Sequence, residues 1–286
     1  MKLIRYGELN KEKTGVMLED DKCYDTSAFC KDYNEGFFES DGLRRLKIYL
    51  EEHRARLTQI PAGSRLGSPI ARPSKIVCIG LNYADHARET GAAIPPEPVV
   101  FMKSTTALVG PFDDIIIPKN SVKTDWEVEI AVVIGKKASY VDEYTAPKYI
   151  AGYVLHNDVS EREFQIERGG TWDKGKGCDT FAPMGPFMAT PDEIEDVDDL
   201  RLWLKVNGKK MQDGNTSNFI FKIPFIISYL SQFMTLLPGD VISTGTPAGV
   251  GLGFKPPVYL KPGDVVELGI DGLGSSKQTL KAYGSH

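Results

Sequence analysis

Two carboxylates stand one residue apart inside an apolar segment. The stretch 124–136, TDWEVEIAVVIGK, has the pattern of a buried β-strand except at Glu127 and Glu129. Side chains at positions i and i+2 of a strand point to the same face, roughly 7 Å apart, so these two carboxylates should project together. In a dry interior two ionised carboxylates repel, and the arrangement is costly unless a cation neutralises them or one takes up a proton.

Two interpretations of this pair compete. On an edge strand whose polar face meets water, the glutamates would simply be solvated. The run continues as Ala-Val-Val-Ile without polar alternation, which is typical of a strand buried on both faces. Burial favours a hard divalent cation such as Mg²⁺ or Mn²⁺. Asp158, which follows an apolar strand, is a candidate third ligand, but a strand-end aspartate is also common in turns, and spacing does not decide between these roles.

Composition limits the class of protein. With 286 residues, 41% hydrophobic and 26% charged, the chain is predicted to be globular, with one large domain or one large and one small. No run approaches the ~18 apolar residues that span a bilayer, and the start lacks a signal-peptide pattern, so we expect a cytoplasmic protein without a membrane partner. Four scattered cysteines without C-x-x-C spacing argue against a zinc cluster. A net charge of -5 without a basic stripe disfavours nucleic acid and favours a small-molecule substrate.

Strand signals dominate the chain beyond residue 70. One clear helix has the body Phe225–Met234, with Pro224 in its first turn and Thr216-Ser217 as the expected cap. The pattern indicates a mostly β protein with a few helices. The predicted strands are 75–79, 98–102, 115–117, 124–136, 149–155 and 202–206, the last followed by the hairpin signal Asn207-Gly208.

The N-terminal part has a different character. An amphipathic helix is predicted over 43–57, and the stretch 61–73 is rich in Gly, Pro and Ser, as linkers are. The sequence therefore predicts a small N-terminal domain over residues 1–70 and a larger domain over 71–286.

Several motifs together resemble the fumarylacetoacetate hydrolase family. They are DWEVEIAVVIG at 125–135, GYVLHNDVSER at 152–162, STGTPAGVG at 243–251, GLNYADHA at 80–87 and KVNG at 205–208. The resemblance implies a mostly β, α+β fold: a mixed β-roll or β-sandwich with a few peripheral helices and a small N-terminal α/β domain. It also implies Mg²⁺ or Mn²⁺ on three carboxylates, which map onto Glu127, Glu129 and Asp158, and a homodimer.

The same resemblance assigns a catalytic pair. His86 and Glu89 are three residues apart, so on a short helix they share a face and the carboxylate can orient the imidazole. Taken alone, such a pair is more often a surface contact. The family comparison implies that it activates water on a lid segment, which begins near Tyr83 and ends near Pro96 and closes over the substrate.

Further site residues are ranked by the same comparison. Lys176, with Lys174 as its neighbouring rival, would offset negative charge on the substrate and act in catalysis. Read alone, the run around it is a flexible basic loop. The turn at Gly245-Thr246 offers backbone N–H groups and a hydroxyl that can cradle a carboxylate. The expected substrate-binding residues are Tyr83, Lys103, Arg162, Gln165, Gly245 and Thr246.

The function that these expectations support is hydrolysis of a C–C bond. A 2,4-dioxo acid, either an acylpyruvate or a sugar-derived 2,4-diketo-3-deoxy acid, would give pyruvate and a carboxylic acid. Oxaloacetate decarboxylation and isomerisation of an oxo acid are alternatives within the family. A non-catalytic, cation-stabilised ligand-binding module is an alternative of another class. Nucleophile-elbow hydrolases and zincins are disfavoured because G-x-S-x-G and H-E-x-x-H do not occur.

Overall fold

The computed structural model describes residues 1–18, 21–90 and 93–285, apart from the side chains of residues 86, 87 and 90. In these ranges the α-helices are α1 (Glu35–Glu39), α2 (Gly42–His53), α3 (Ala84–Thr90), α4 (Asp173–Lys176) and α5 (Ile223–Ser231). The strands are β1 (Lys2–Tyr6), β2 (Lys13–Met17), β3 (Cys23–Asp25), β4 (Leu66–Gly67), β5 (Ile76–Gly80), β6 (Val99–Lys103), β7 (Leu108–Val109), β8 (Ile115–Ile117), β9 (Thr124–Asp125), β10 (Val128–Ile134), β11 (Ile150–Asn157), β12 (Ser160–Glu161), β13 (Ala182–Ala189), β14 (Arg201–Val206), β15 (Lys209–Asn215), β16 (Val241–Ser243), β17 (Val265–Ile270) and β18 (Gly274–Ala282).

The largest sheet carries the central strand of the site. Its order is β3-β2-β1-β13-β11-β10-β16-β5-β6, with β4 beside β1 and β7 beside β13. Strand β10 lies between β11 and β16, with Ala131 opposite Val154 and Ser243, and every residue of β10 is buried. Strand β10 is thus paired on both sides, and its burial on both faces is what its unbroken apolar run predicted.

The predicted strand 124–136 is interrupted near its start, contrary to the expectation of one continuous strand. Residues 124–125 form β9, which pairs with β12, and β10 begins only at Val128. Between them the backbone N–H of Glu127 is bound by the Asn157 side chain, and that of Val128 by Gln212. These side chains satisfy the backbone groups that a continuous ladder would otherwise pair.

The second sheet has the order β15-β14-β17-β18-β8. Strands β14 and β15 form the predicted hairpin, and its turn residues Asn207 and Gly208 both have positive φ, at 50° and 78°. A type I′ turn requires positive φ at both positions, which explains the Asn-Gly pair. Both sheets combine antiparallel and parallel pairs: the parallel pairs are β16 with β5 and β13 with β7 in the large sheet, and β18 with β8 in the second. The predicted mostly β, mixed architecture is confirmed.

The two predicted helices form with altered ends. Helix α2 buries Leu46 and Leu50 on one face and ends at His53, earlier than predicted. Helix α5 has Pro224 in its first turn, as predicted. The proposed cap at Thr216-Ser217 is wrong, because Thr216–Asn218 forms a separate 3₁₀ turn that Asn215 caps.

The first seventy residues share the large sheet with the rest of the chain. Strand β1 pairs with β13, with Lys2 opposite Ala189 and Leu3 opposite Met188, and Arg65 pairs with Asp113 at 2.6 Å. The domain division at residue 70 stays a prediction. No helix within the described ranges combines the length and the apolar character needed to cross a membrane.

Candidate metal centre and active site

Three carboxylates meet where β10 and β11 lie side by side. Glu127 and Glu129 flank Val128 at the start of β10, and Asp158 follows the end of β11. The Asp158 N–H donates to the Glu127 carbonyl at 2.9 Å, which holds the two strand ends together. One ligand atom from each side chain lies within 4.8 Å of the others, and all three residues are buried. The structure thus brings together the three ligands that the family resemblance implies.

The electrostatics of these carboxylates indicate excess negative charge. Burial and the neighbouring charges of Asp158 and Glu127 raise the pKa of Glu129 well above its ordinary value. Burial alone would raise the pKa of Glu127, but the positive charges of Lys176 and Arg162 lower it overall. Three buried oxygen donors, one of which is disfavoured as an anion in isolation, are a donor set suited to a hard divalent cation such as Mg²⁺ or Mn²⁺. The residues therefore fit a divalent metal site.

Two buried lysines face the acidic cluster. The Lys176 Nζ lies 2.7 Å from Glu127 Oε2 and 2.9 Å from Asp158 Oδ2. The Lys103 Nζ donates to Asp158 Oδ1 at 2.6 Å and to the Val159 carbonyl at 3.0 Å. The rival Lys174 points elsewhere, since its Nζ donates to a backbone carbonyl in an exposed contact. Lys176 is therefore the lysine of this pair that reaches the centre.

Arg162 connects the cluster to a residue that the sequence did not single out. Its Nη2 lies 2.8 Å from Glu127 Oε1 and 2.7 Å from Asp125 Oδ2, and its Nη1 donates to Gln165 Oε1 at 3.0 Å. Asp125 also accepts the N–H of Gly251 at 2.7 Å. The sequence signal that could have identified Asp125 was its position two residues before Glu127, which in a strand places it on the same face as the two glutamates.

A second missed group lies behind Glu129. The Ser243 hydroxyl donates to Glu129 Oε2 at 2.5 Å, and His156 Nδ1 lies 2.6 Å from the same hydroxyl oxygen. His156 Nε2 is buried with no hydrogen-bond partner within the described structure, and burial lowers the pKa of His156 to about 3. A neutral imidazole with its proton on Nδ1 donates to Ser243, which leaves the serine proton for Glu129. No sequence signal paired these residues, which are far apart in the chain.

The predicted glycine-rich turn lies beside the carboxylates. The Gly245 N–H donates to Glu129 Oε2 at 2.9 Å, and Gly245 has a φ of 100° that favours glycine. The Thr246 hydroxyl donates to the Val128 carbonyl at 2.9 Å. Both residues line the cavity. In this structure the Gly245 N–H and the Thr246 hydroxyl, which were expected to cradle a substrate carboxylate, donate to protein oxygen atoms instead.

Helix α3 carries the predicted catalytic pair. The His86 side chain lies outside the described part of the structure, as do residues 91 and 92 of the predicted lid. Both oxygens of Glu89 accept the Gly249 N–H, at 3.1 and 3.0 Å, so the helix is attached to the turn beside the cavity. Tyr83 is fully buried, and its ring packs edge-on against Phe219 with 4.8 Å between centroids. It does not line the cavity as described, and its substrate contact stays a prediction.

A cavity of about 200 Å³ opens above the centre. Its charged and polar walls are the predicted residues Glu127, Glu129, Arg162, Gln165, Lys176 and Thr246. Lys103 is buried below them against Asp158 and does not line the cavity. The remaining wall is mainly apolar, and the sequence pointed to none of it: Ile79, Leu81, Phe101, Ile166, Trp172, Val250 and Leu252.

Comparison with known proteins identifies a family. A family model described as "Fumarylacetoacetate (FAA) hydrolase C-terminal" matches residues 75–281. A Burkholderia multivorans protein named "Putative hydrolase" is 52% identical over 283 residues, covering 99% of each chain. Maleylpyruvate hydrolase from Sphingobium sp. SYK-6, solved with manganese(II) and pyruvate, is 29% identical and covers 99% of each chain, with a TM-score of 0.81. The 2-hydroxyhepta-2,4-diene-1,7-dioate isomerase from Mycobacterium marinum is 32% identical and covers 100% of each chain, with a TM-score of 0.74.

The fold and the buried acidic centre define a β-rich enzyme of the group that includes hydrolases and isomerases of oxo acids. The chain belongs to the fumarylacetoacetate hydrolase family.

Proposed function

We propose that the protein hydrolyses the C3–C4 bond of a 2,4-dioxo acid to pyruvate and a carboxylic acid, with Mg²⁺ or Mn²⁺ as cofactor. The observation that carries the proposal is the group of three buried carboxylates within 4.8 Å of one another, two of which, Glu127 and Glu129, line the floor of a cavity. Glu127, Glu129 and Asp158 would hold the ion. When bound, it would supply Lewis acidity to the 2-oxo acid end of the substrate. The manganese and pyruvate named for the Sphingobium hydrolase support this choice.

Lys176 supplies a fixed positive charge next to that end of the substrate. Burial acts to lower the pKa of Lys176, but the carboxylates of Asp158 and Glu127 raise it overall, so the ammonium stays protonated. An ammonium held in place before the reaction stabilises negative charge as it develops on the enolate of the leaving pyruvate. Its position 5.0 Å from the centroid of the Phe101 ring further restricts its movement.

His86 is the proposed base, and Glu89 its supporting carboxylate. The imidazole takes a proton from water, and the water oxygen attacks C4 of the substrate. The C3–C4 bond then breaks, its electron pair passes to C3 as the pyruvate enolate, and C3 is protonated. The support for this role is the attachment of Glu89 to Gly249, beside the cavity residues Val250 and Leu252.

The test is pyruvate formation from acetylpyruvate, longer acylpyruvates and oxaloacetate. Protein stripped with EDTA is assayed alone and after addition of Mg²⁺ or Mn²⁺. We expect metal-dependent pyruvate together with an equal amount of the matching carboxylic acid. Metal-bound protein that releases no pyruvate from any acylpyruvate would refute the proposal. Pyruvate from oxaloacetate alone, with release of CO₂, would instead identify a decarboxylase.

Isomerisation is the second candidate, because the Mycobacterium marinum neighbour is named as an isomerase. Isomerisation moves a proton between carbon atoms and consumes no water. A change in the ultraviolet spectrum of an unsaturated oxo acid without formation of two products would favour it over hydrolysis.

A further inference from the structure

The cavity changes character from its floor to its opening. The floor is polar and buried, with Glu129 and Lys176 each only 1% exposed. The opening is apolar: Ile166 is 53% exposed, and Trp172 and Leu252 are partly exposed, and all three line the cavity. A ligand whose oxo acid end lies on the floor therefore places its other end among hydrocarbon and aromatic side chains.

The aromatic part of this wall is held by its surroundings. The Trp172 and Phe101 rings lie 5.3 Å apart between centroids. A Cβ atom on Gly80 would come within 2.5 Å of the Trp172 ring, so the indole packs directly on the backbone of β5. The two aromatic rings thus form a continuous apolar surface that reaches from Lys176 at the floor to the opening.

In the described part of the cavity wall, the cations lie at the floor. Among the described residues that line it, the cations are Arg162 and Lys176, and both contact Glu127. Two further cations are close in sequence to Ile166 at the opening. Arg168 pairs with Glu163 at 2.5 Å, and Lys174 donates to the Arg168 carbonyl. A second carboxylate at the far end of a substrate would therefore lie against apolar side chains and meet no matching cation among the described wall residues, which is costly.

We propose, on the basis of the function proposed above, that the acyl group of the substrate is short, uncharged and apolar. The substrate would be an alkanoylpyruvate rather than a dioate or a polyhydroxylated sugar acid. Hydroxyl groups would lose their bonds to water against this wall as a carboxylate would. The cavity of about 200 Å³ must also hold the oxo acid end, which limits the length of the acyl chain.

The first test measures binding and does not depend on turnover. The probes are 2-oxohexanoate and 2-oxoadipate, which have the same chain length and differ only by a terminal methyl or carboxylate group. Calorimetric titration of the Mn²⁺-loaded protein should show at least tenfold tighter binding of 2-oxohexanoate. Oxalate, which occupies only the floor, serves as the control for an intact site.

A pair of variants locates the preference. Ile166→Lys places a cation at the opening and should narrow or reverse the preference for 2-oxohexanoate, with oxalate binding unchanged. Leu9→Lys is the control and should leave both affinities unchanged. Leu9 is 59% exposed and lies in the turn between β1 and β2, far from the site residues in the sequence. Trp172→Ala should weaken the binding of 2-oxohexanoate more than the binding of oxalate.

The kinetic counterpart is a series of acetyl-, propionyl- and butyrylpyruvate. We expect kcat/KM to rise about fourfold for each added methylene, equivalent to about 0.8 kcal/mol, until the cavity is full. Equal or tighter binding of 2-oxoadipate, or no binding of 2-oxohexanoate while oxalate binds, would overturn the inference. A preference for 2-oxohexanoate without cleavage of any acylpyruvate would refute the hydrolase and leave the apolar pocket standing.

Discussion

At the scale of single residues, Glu129 is positioned by groups behind it as well as by its strand. The Ser243 hydroxyl and the Gly245 N–H both donate to its Oε2 atom, and His156 in turn holds the hydroxyl. Partners of this kind orient metal-binding side chains. The carboxylate is therefore directed toward Glu127 and Asp158 before any ion binds.

Ser243→Ala should weaken Mn²⁺ binding about tenfold, because outer partners of metal ligands typically contribute 10–100-fold to affinity. The measurement is titration of free Mn²⁺ by electron paramagnetic resonance. Ser64→Ala, at an exposed serine far from the centre, is the matched control. Unchanged affinity in Ser243→Ala would show that the hydroxyl does not orient Glu129.

A second residue-scale prediction separates the metal site from the base. His86→Ala should lower kcat by about 10²–10⁴-fold, the range for loss of a general base, with Mn²⁺ affinity close to that of the parent. Glu127→Ala should lower both kcat and Mn²⁺ affinity, because the Glu127 carboxylate is one of the three at the centre. Equal loss of Mn²⁺ affinity in the two variants would contradict this division of roles.

At the scale of elements, the cavity depends on short segments docking against the sheets. Helix α3 is attached to the turn after β16 through Glu89 and Gly249. Gly249 has a φ of 104°, and a Cβ atom there would lie 2.0 Å from the Met211 carbonyl oxygen. This turn therefore requires glycine, and the backbone N–H that holds α3 comes from a residue that cannot be exchanged without strain.

Glu89→Ala should release the end of α3 and speed tryptic cleavage after Arg88 severalfold. In the parent protein, oxalate should slow this cleavage only when Mg²⁺ is present, since oxalate would bind at the metal. The rate is followed by mass spectrometry of the fragments, and Glu8→Ala, at an exposed glutamate, serves as control. Oxalate protection without metal, or none with it, would count against a lid that responds to substrate.

At the scale of the whole molecule, the large sheet joins the N-terminal strands to the site. Strand β1 pairs with β13, which pairs with β11, which pairs with β10. Residues 1–70 and the metal centre should therefore unfold together. The homodimer that the family resemblance implies stays a prediction.

Leu3→Ala should destabilise the whole protein by about 2–5 kcal/mol, since Leu3 is fully buried and truncation of a buried leucine leaves a cavity. Fluorescence of buried tryptophan and circular dichroism should report one shared denaturation midpoint, shifted in the variant. Leu9→Ala, at an exposed leucine, is the control. Two separate transitions would show that residues 1–70 form an independent domain.

The sequence by itself determined the strand identity of β10, the common direction of the carboxylates at Glu127 and Glu129 at its start, and the turn chemistry at Asn207-Gly208, because side-chain alternation and positive φ are local properties. With the family motifs it also indicated Asp158, Lys176 and Arg162. Only the tertiary structure decided the role of Asp125, the contact of Ser243 and His156 with Glu129, and the apolar wall around Trp172. These depend on segments far apart in the chain that meet only when the sheets pack, and no local pattern records which side chains will face one another.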